Sequence, residues 1–288
     1  MKNLLIAITF LTVISIKAQE NTEIFVFDIA NSENALELSN MKNISNDEGY
    51  DNQPFFQDNN SVVFAGNNNG STDIATVSLS DYKKEFYYQK TNGGEFSPQS
   101  IPDSRLIAAV RLDTSGLQRL YSYNSQTKNS EALIQDIPVA YFSFYDASHL
   151  LASVLAEEKL DLIFFNLKNN THQPIVKNSG RSLSKIPKKE AMSYTASNED
   201  GYLDIFQLDV KDLQSYFICE LPLGIQDYAW LNDSQLIVGS NTSILMYDLF
   251  GDGEWEKVGD VGEFKIKSIT RLAVSPNGKK IALVAEPQ

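Results

Sequence analysis

The chain is poor in the residues that most often carry chemistry. Its 288 residues include one cysteine and two histidines. Cys219 lies in the apolar run YFICEL. It has no disulfide partner, so a buried, inert thiol is expected and the core must supply the stability alone. His149 and His172 stand at different points of the pattern described below, His149 beside an apolar strand and His172 in the polar turn NNTHQP. Metal centres ligated by histidine need several ligands converging, and two separated imidazoles do not provide them. Basic residues are outnumbered, 24 against 37 acidic, for a net charge of −13. So acidic a surface repels phosphate backbones, which argues against a nucleic-acid partner. Two catalytic or metal motifs begin and fail. Gly180-Arg181-Ser182-Leu183-Ser184 lacks the second glycine of a nucleophile elbow. An EF-hand loop started at Asp248 places Phe250 and Gly259 where ligands are required.

Long apolar runs are also missing, with one exception. Lys2 precedes the run Leu4–Ile14, and Ala18 offers a small residue for processing. This reads as a secretory signal over residues 1–19, cleaved near Ala18 or Gln19. The run is shorter than the roughly 20 apolar residues that span a bilayer, and no later segment is long enough. No cysteine follows it to carry a lipid anchor. Residues 1–19 contain two lysines and no acid, so the remaining chain, residues 20–288, has a net charge of −15. A periplasmic or secreted protein is expected, with no membrane span after cleavage.

What is abundant is self-similarity. Residues 51–77 read as a short strand, a polar turn, an apolar strand, a Gly-containing turn and another strand. The same grammar recurs at 139–165, 226–249 and 270–284, and more weakly at 97–123 and 182–208. The first apolar residues of the second strands are Val62, Leu106, Leu150, Ala191, Leu236 and Ile281, at intervals of 44, 44, 41, 45 and 45 residues. Four short strands with their turns occupy about 40–45 residues in a propeller blade. Six anchors therefore predict an all-β, six-bladed propeller. Runs such as LIAAV, LLASVL and IALV lack polar alternation, as expected of strands buried on both faces between neighbouring blades. The turns carry Asn, Asp and Gly, which tolerate positive φ.

The two ends complete each other. The last copy stops after its second strand, whereas EIFVFDI at 23–29 matches a third strand and ALEL at 35–38 a fourth. The sixth blade is therefore expected to take two strands from each terminus, which pairs edges that would otherwise template aggregation.

The unit YDNQPFFQDNNSVVFAGNNNGSTDIATVSL, residues 50–79, resembles the TolB-type propeller repeat, also called the WD40-like or PD40 repeat. Asn52, Pro54, Phe56, Asp58, Val62, Asp73 and Ile74 carry the likeness, and Ser275-Pro276-Asn277-Gly278 matches the family's Ser-Pro-Asp-Gly turn. The first and last blades are the closest copies. The resemblance implies the propeller fold and an envelope location, without the α/β domain that precedes the propeller of TolB. It does not carry over a binding surface, because the repeat signature encodes none.

The residues just before each first strand are expected to gather around one mouth of the central channel. They are Tyr50, Asp51, Asn52, Gln53, Glu95, Tyr141, Arg181, Gln226, Asp227, Tyr228 and Arg271. The leading expectation is a non-catalytic binding or scaffold propeller that takes an envelope protein or a small polar ligand there. It has no cofactor and no metal. One alternative is a lactonase- or phosphotriesterase-like hydrolase whose channel calcium is held by Asp51, Asn52, Glu95 and Asp227. Another is a carbohydrate-binding propeller using Tyr50, Tyr141, Tyr228 and Trp230. The acids Asp51, Glu95 and Asp227 lead to the expectation of a cationic ligand. The basic turn Lys185–Lys189 is a second candidate docking point.

Overall fold

The computed structural model describes residues 21–287, apart from 33–34 and 88–90. The signal segment expected over residues 1–19 lies outside the described residues. Strands β1 (Glu23–Ser32) and β2 (Ala35–Asn43) open the chain. Four-stranded blades follow. Blade 1 holds β3 (Asn52–Phe56), β4 (Ser61–Asn68), β5 (Ser71–Ser78) and β6 (Lys84–Phe86). Blade 2 holds β7 (Gly93–Ser100), β8 (Ile107–Asp113), β9 (Gln118–Asn124) and β10 (Asn129–Ile134). Blade 3 holds β11 (Val139–Phe144), β12 (His149–Ala156), β13 (Lys159–Asn166) and β14 (Thr171–Lys177). Blade 4 holds β15 (Ser179–Lys185), β16 (Ala191–Ser197), β17 (Leu203–Asp209) and β18 (Ser215–Glu220). Blade 5 holds β19 (Ala229–Trp230), β20 (Gln235–Ser240), β21 (Ser243–Asp248) and β22 (Glu256–Asp260). Strands β23 (Ile266–Val274) and β24 (Lys280–Pro287) return to the start. Each blade is an antiparallel meander, and the sixth has the order β2-β1-β24-β23.

The sixth blade is thus built from both ends of the chain, as expected. Phe25 pairs with Leu283 and Phe27 with Ile281 across the β1–β24 ladder. One detail of the sequence reading is corrected. His172 lies in β14 and stacks on Phe165 at 6.1 Å, and is not in a turn. Residues 167–170 make the turn, and the strand begins at Thr171.

The core explains the unbroken apolar runs. Buried side chains fall into six clusters, one at each seam between blades. Successive residues of a second strand point to opposite seams because the side-chain period of a strand is two. Val62 and Phe64 pack toward blade 6, and Val63 toward blade 2. Leu150 and Ala152 pack toward blade 2, and Leu151 toward blade 4. Ile281 and Leu283 face blade 5, and Ala282 and Val284 face blade 1. Each such aliphatic side chain stabilises the fold by about 1.5–3 kcal/mol relative to exposure. The Ser275–Gly278 turn is closed by its own side chain, since Ser275 Oγ accepts from the Lys280 N–H at 2.9 Å.

Candidate functional site

The innermost strands are irregular. Ladder register shifts occur between Asn52 and Phe55, Phe96 and Gln99, Val139 and Tyr141, Ser179 and Leu183, and Lys267 and Arg271. Bulges re-aim side chains, and in these five blades they accompany a side chain turned toward the axis, whereas blade 5 reaches it from the segment before β19. Gln53 and Ser97, equivalent residues of blades 1 and 2, adopt left-handed backbone with φ of 57° and 52°. Such conformations are sparsely populated without glycine and mark an over-determined place. The Ser97 N–H donates to Gln53 Oε1 at 2.7 Å and ties the two blades together.

The channel has an inner cavity of about 120 Å³ lined by Gln53, Ser97, Tyr141, Arg181, Asp227 and Arg271, among others. These six come one from each blade. The cavity opens into an outer chamber of about 500 Å³, where Gln53, Tyr141, Arg181 and Arg271 recur beside Tyr50, Leu112 and Leu155. At the opposite end a wider cavity of about 600 Å³ is bordered by Phe55, Leu272, Trp230 and the Lys185–Lys188 turn.

Asp227 organises the charge. Arg181 grips Asp227 Oδ2 through Nε, at 2.8 Å, and Nη2. Arg271 Nη1 lies 3.5 Å from Asp227 Oδ1, and its guanidinium carbon is 6.0 Å from the centre of the Tyr141 ring. Arg181 reaches the axis from an innermost strand that packs very closely. An ideal Cβ on the neighbouring Gly180 would lie 2.1 Å from Thr195 Oγ1. The Tyr50 ring meets Phe96 edge-on at 6.4 Å. Burial raises the Tyr50 phenol's pKa, partly opposed by the positive charges of Arg271 and Arg181.

The structure therefore gathers Gln53, Tyr141, Arg181, Asp227 and Arg271 from the sequence-derived set, with Tyr50 beside them. It corrects the placement of three others. Asp51 is fully buried, accepting from the Asn67 N–H at 3.2 Å and from Lys84 Nζ at 3.3 Å. Its carboxyl is pushed up to about 6 by burial, against the pull of Lys84. Asn52 is buried, and its side-chain oxygen accepts from the Gln53 N–H at 2.8 Å. Glu95 is buried in blade 2, accepting from Thr91 Oγ1 at 2.6 Å and Tyr123 Oη at 3.2 Å. Burial first, and the neighbouring Asp73 carboxyl after it, push Glu95 well above the usual carboxylate range. The physical reason is the bulge. The chain turns toward the axis at Gln53 in blade 1 and near Ser97 in blade 2, and the residues before it face inward.

Tyr228 lines the inner cavity, but its hydroxyl, like the Trp230 indole, is turned away from it. The Tyr228 hydroxyl and Trp230 Nε1 both donate to Ser193 Oγ, at 2.7 and 2.8 Å, inside the seam between blades 4 and 5. Gln226 is not among the residues lining the cavities described above. His149 is held by Asp146 and Asn166, each at 3.0 Å, and stacks on Phe164. Burial pushes the Cys219 thiol up to about 12. Among the described residues no group of three or more His, Cys, Asp or Glu is arranged to hold a metal ion. Sequence reasoning missed Ser97 and Gly180. The first follows Gln53 by 44 residues and was recoverable from the repeat interval, whereas the second shows only in packing.

Fold and channel together define a six-bladed propeller with one polar side chain per blade at its axis. The solved structures it matches agree. A TolB-type protein of Agrobacterium tumefaciens is 15% identical with a TM-score of 0.70, covering 93% of this chain and 99% of its own. A chain of a nidogen/laminin complex is 9% identical with a TM-score of 0.64, over 93% and 99%. An oligogalacturonate lyase in complex with manganese is 11% identical with a TM-score of 0.57, over 86% and 80%. At these identities the likeness is one of fold, and that fold is the TolB-type propeller. No protein-family model matches the chain. No curated protein matches it either.

Proposed function

We propose that this chain is an exported binding propeller whose channel mouth holds a polar ligand or a segment of an envelope protein and performs no chemistry on it. The observation that carries this is the convergence of six blades on one open chamber. Bulges aim Gln53, Tyr141, Arg181 and Arg271 at one axis and the segment before β19 adds Asp227, which a purely structural channel does not need. The similarity to a chain of a nidogen/laminin complex supports a protein partner, because that propeller fold serves in a protein assembly. Export follows from the signal segment, and among the described residues no helix is long and apolar enough to cross a membrane. A calcium-dependent hydrolase is less well supported. Of its expected ligands Asp51, Asn52, Glu95 and Asp227, only Asp227 faces the channel, and two arginines flank it.

The test compares two surfaces. Affinity capture from the envelope fraction should lose its partner with Arg271→Glu and keep it when Lys185, Lys188 and Lys189 are changed to Glu. The reverse pattern, in folded variants, would move the interaction to the basic turn.

A further inference from the structure

Resting on the channel-binding reading above, we propose that the outer chamber is a seat for a monocarboxylate carried on an apolar body, with Arg271 as its anchor. The argument begins with donors. Asp227 is the one carboxylate facing two guanidinium groups, and Arg181 takes it in a forked grip. Arg271 is left with a 3.5 Å ion pair, longer than a hydrogen bond between charged groups. It donates no hydrogen bond to any described residue, although its side chain is only 15% exposed. A guanidinium carries five N–H donors in a planar fork that matches the two oxygens of a carboxylate. Arg271 lines the open chamber, so these donors are within reach of a planar acceptor that enters from outside.

Charge count and shape narrow the class. Arg181, Arg271 and Lys159 against Asp227 and Glu158 leave one positive charge, which matches a monoanion. A phosphate dianion needs more donors than one unengaged guanidinium supplies. Gln53 has its side-chain oxygen occupied by the Ser97 N–H, so its amide N–H groups remain for the chamber. Beyond the arginine floor the chamber wall carries apolar surface, with Leu112 39% and Leu155 44% exposed, interrupted by one charge pair, Glu158 and Lys159. Leucines so exposed beside a charged floor fit a ligand with an ionic end and an apolar body. The placement of Asp51 and Glu95 inside their blades removes the negative charge that would have favoured a cation.

The probes are hexanoate, N-acetyl-leucine and galacturonate, with hexanamide and hexylamine as uncharged and cationic controls. Binding to the full chain is followed by titration calorimetry and by the shift in Tm. Hexanoate or N-acetyl-leucine should bind with a Kd on the order of millimolar, as one charge-assisted pair and a short apolar chain allow. The controls should bind at least tenfold more weakly. Arg271→Gln should weaken the acids tenfold or more. Should that variant not fold, Arg271→Lys keeps the charge without the fork and should weaken them similarly. Preference for N-acetyl-leucine would point to a peptide C-terminus as the natural source, and preference for hexanoate to a free acid. Equal binding of hexanamide, unchanged affinity in the Arg271 variants, or tighter binding of galacturonate overturns the proposal. If the acids do not bind but Arg271→Glu still loses the captured partner, the carboxylate assignment falls and the channel reading stands. If both fail, both fall.

Discussion

Ser193 is a single small residue on which two blades depend. Its hydroxyl accepts from Tyr228 and Trp230 and donates to the Ser184 carbonyl at 3.3 Å. Ser193→Ala leaves two buried donors without an acceptor, which costs about 2–3 kcal/mol. Thermal denaturation should show a Tm lowered by roughly 4–6 °C for a domain of this size. A Tm within about 1 °C of the unmodified protein, as about 0.5 kcal/mol would give, contradicts this account of the seam. The same residue shows why single positions were hard to read in the sequence. Tyr228 and Trp230 looked like rings at a mouth, and their polar ends are fixed in a seam. Asp51 and Glu95 looked like channel acids, and each stands just short of the bulge that turns the chain. Shifting a strand by one residue exchanges its faces, and nothing in the local sequence announces a bulge built on Gln53 or Ser97.

At the scale of the strand and the blade, far more was legible. The second strands were marked by unbroken apolar runs, and all six anchors fall in or beside them, Leu106 lying one residue before β8. The pairing of both termini was visible because EIFVFDI reads as a third strand with no first or second before it. The weak copies at 97–123 and 182–208 still form complete blades, since burial between neighbours requires apolar content and not a fixed turn motif. The seam residues make the closing blade essential. Deleting residues 20–38 removes β1 and part of β2, with the buried Ile24, Phe25, Val26 and Phe27, and uncovers the seam residues they pack against, Ile281 and Leu283 on one face and Ala282 and Val284 on the other. The truncated chain should lose its cooperative unfolding transition and aggregate, as read by calorimetry and size exclusion. Melting indistinguishable from the full chain would refute closure by both ends.

For the molecule as a whole, the buried acids set how stability depends on pH. Asp51 and Glu95 both bind their protons more tightly in the folded chain than in the unfolded one. Their favourable contribution is therefore complete on the acid side and is lost as pH rises toward neutrality. Asp28, Asp146 and Asp260 are shifted the other way, Asp28 chiefly by its hydrogen bond to Lys280, Asp260 by that to Lys257, and Asp146 by His149 against its own burial. Their contribution is lost only as pH falls below roughly 4. The Tm should accordingly be highest near about pH 5 and decline toward pH 8. Rising negative charge on a chain of net −13 works in the same direction. Glu95→Gln separates the two effects, because it should raise stability at pH 8 by about 1–2 kcal/mol and flatten the decline. An unchanged slope in that variant would show that the buried pair of Asp73 and Glu95 is not its source.

The closing ladder also has a direction. Glu23 lies opposite Ala285 and Asp28 opposite Lys280, so the free ends of β1 and β24 leave the ladder at the same end. A pull applied to those two ends first meets the bridge between Thr22 and Tyr50, then the ladder pairs one after another, and opens the ring like a zipper. Tension applied there meets one hydrogen-bonded pair at a time, whereas tension along a strand held at opposite ends would meet all of them together. A ring held firmly against heat by six packed seams is therefore mechanically weak along this one line. A tether at both ends of the chain would make the propeller a sensor of small forces.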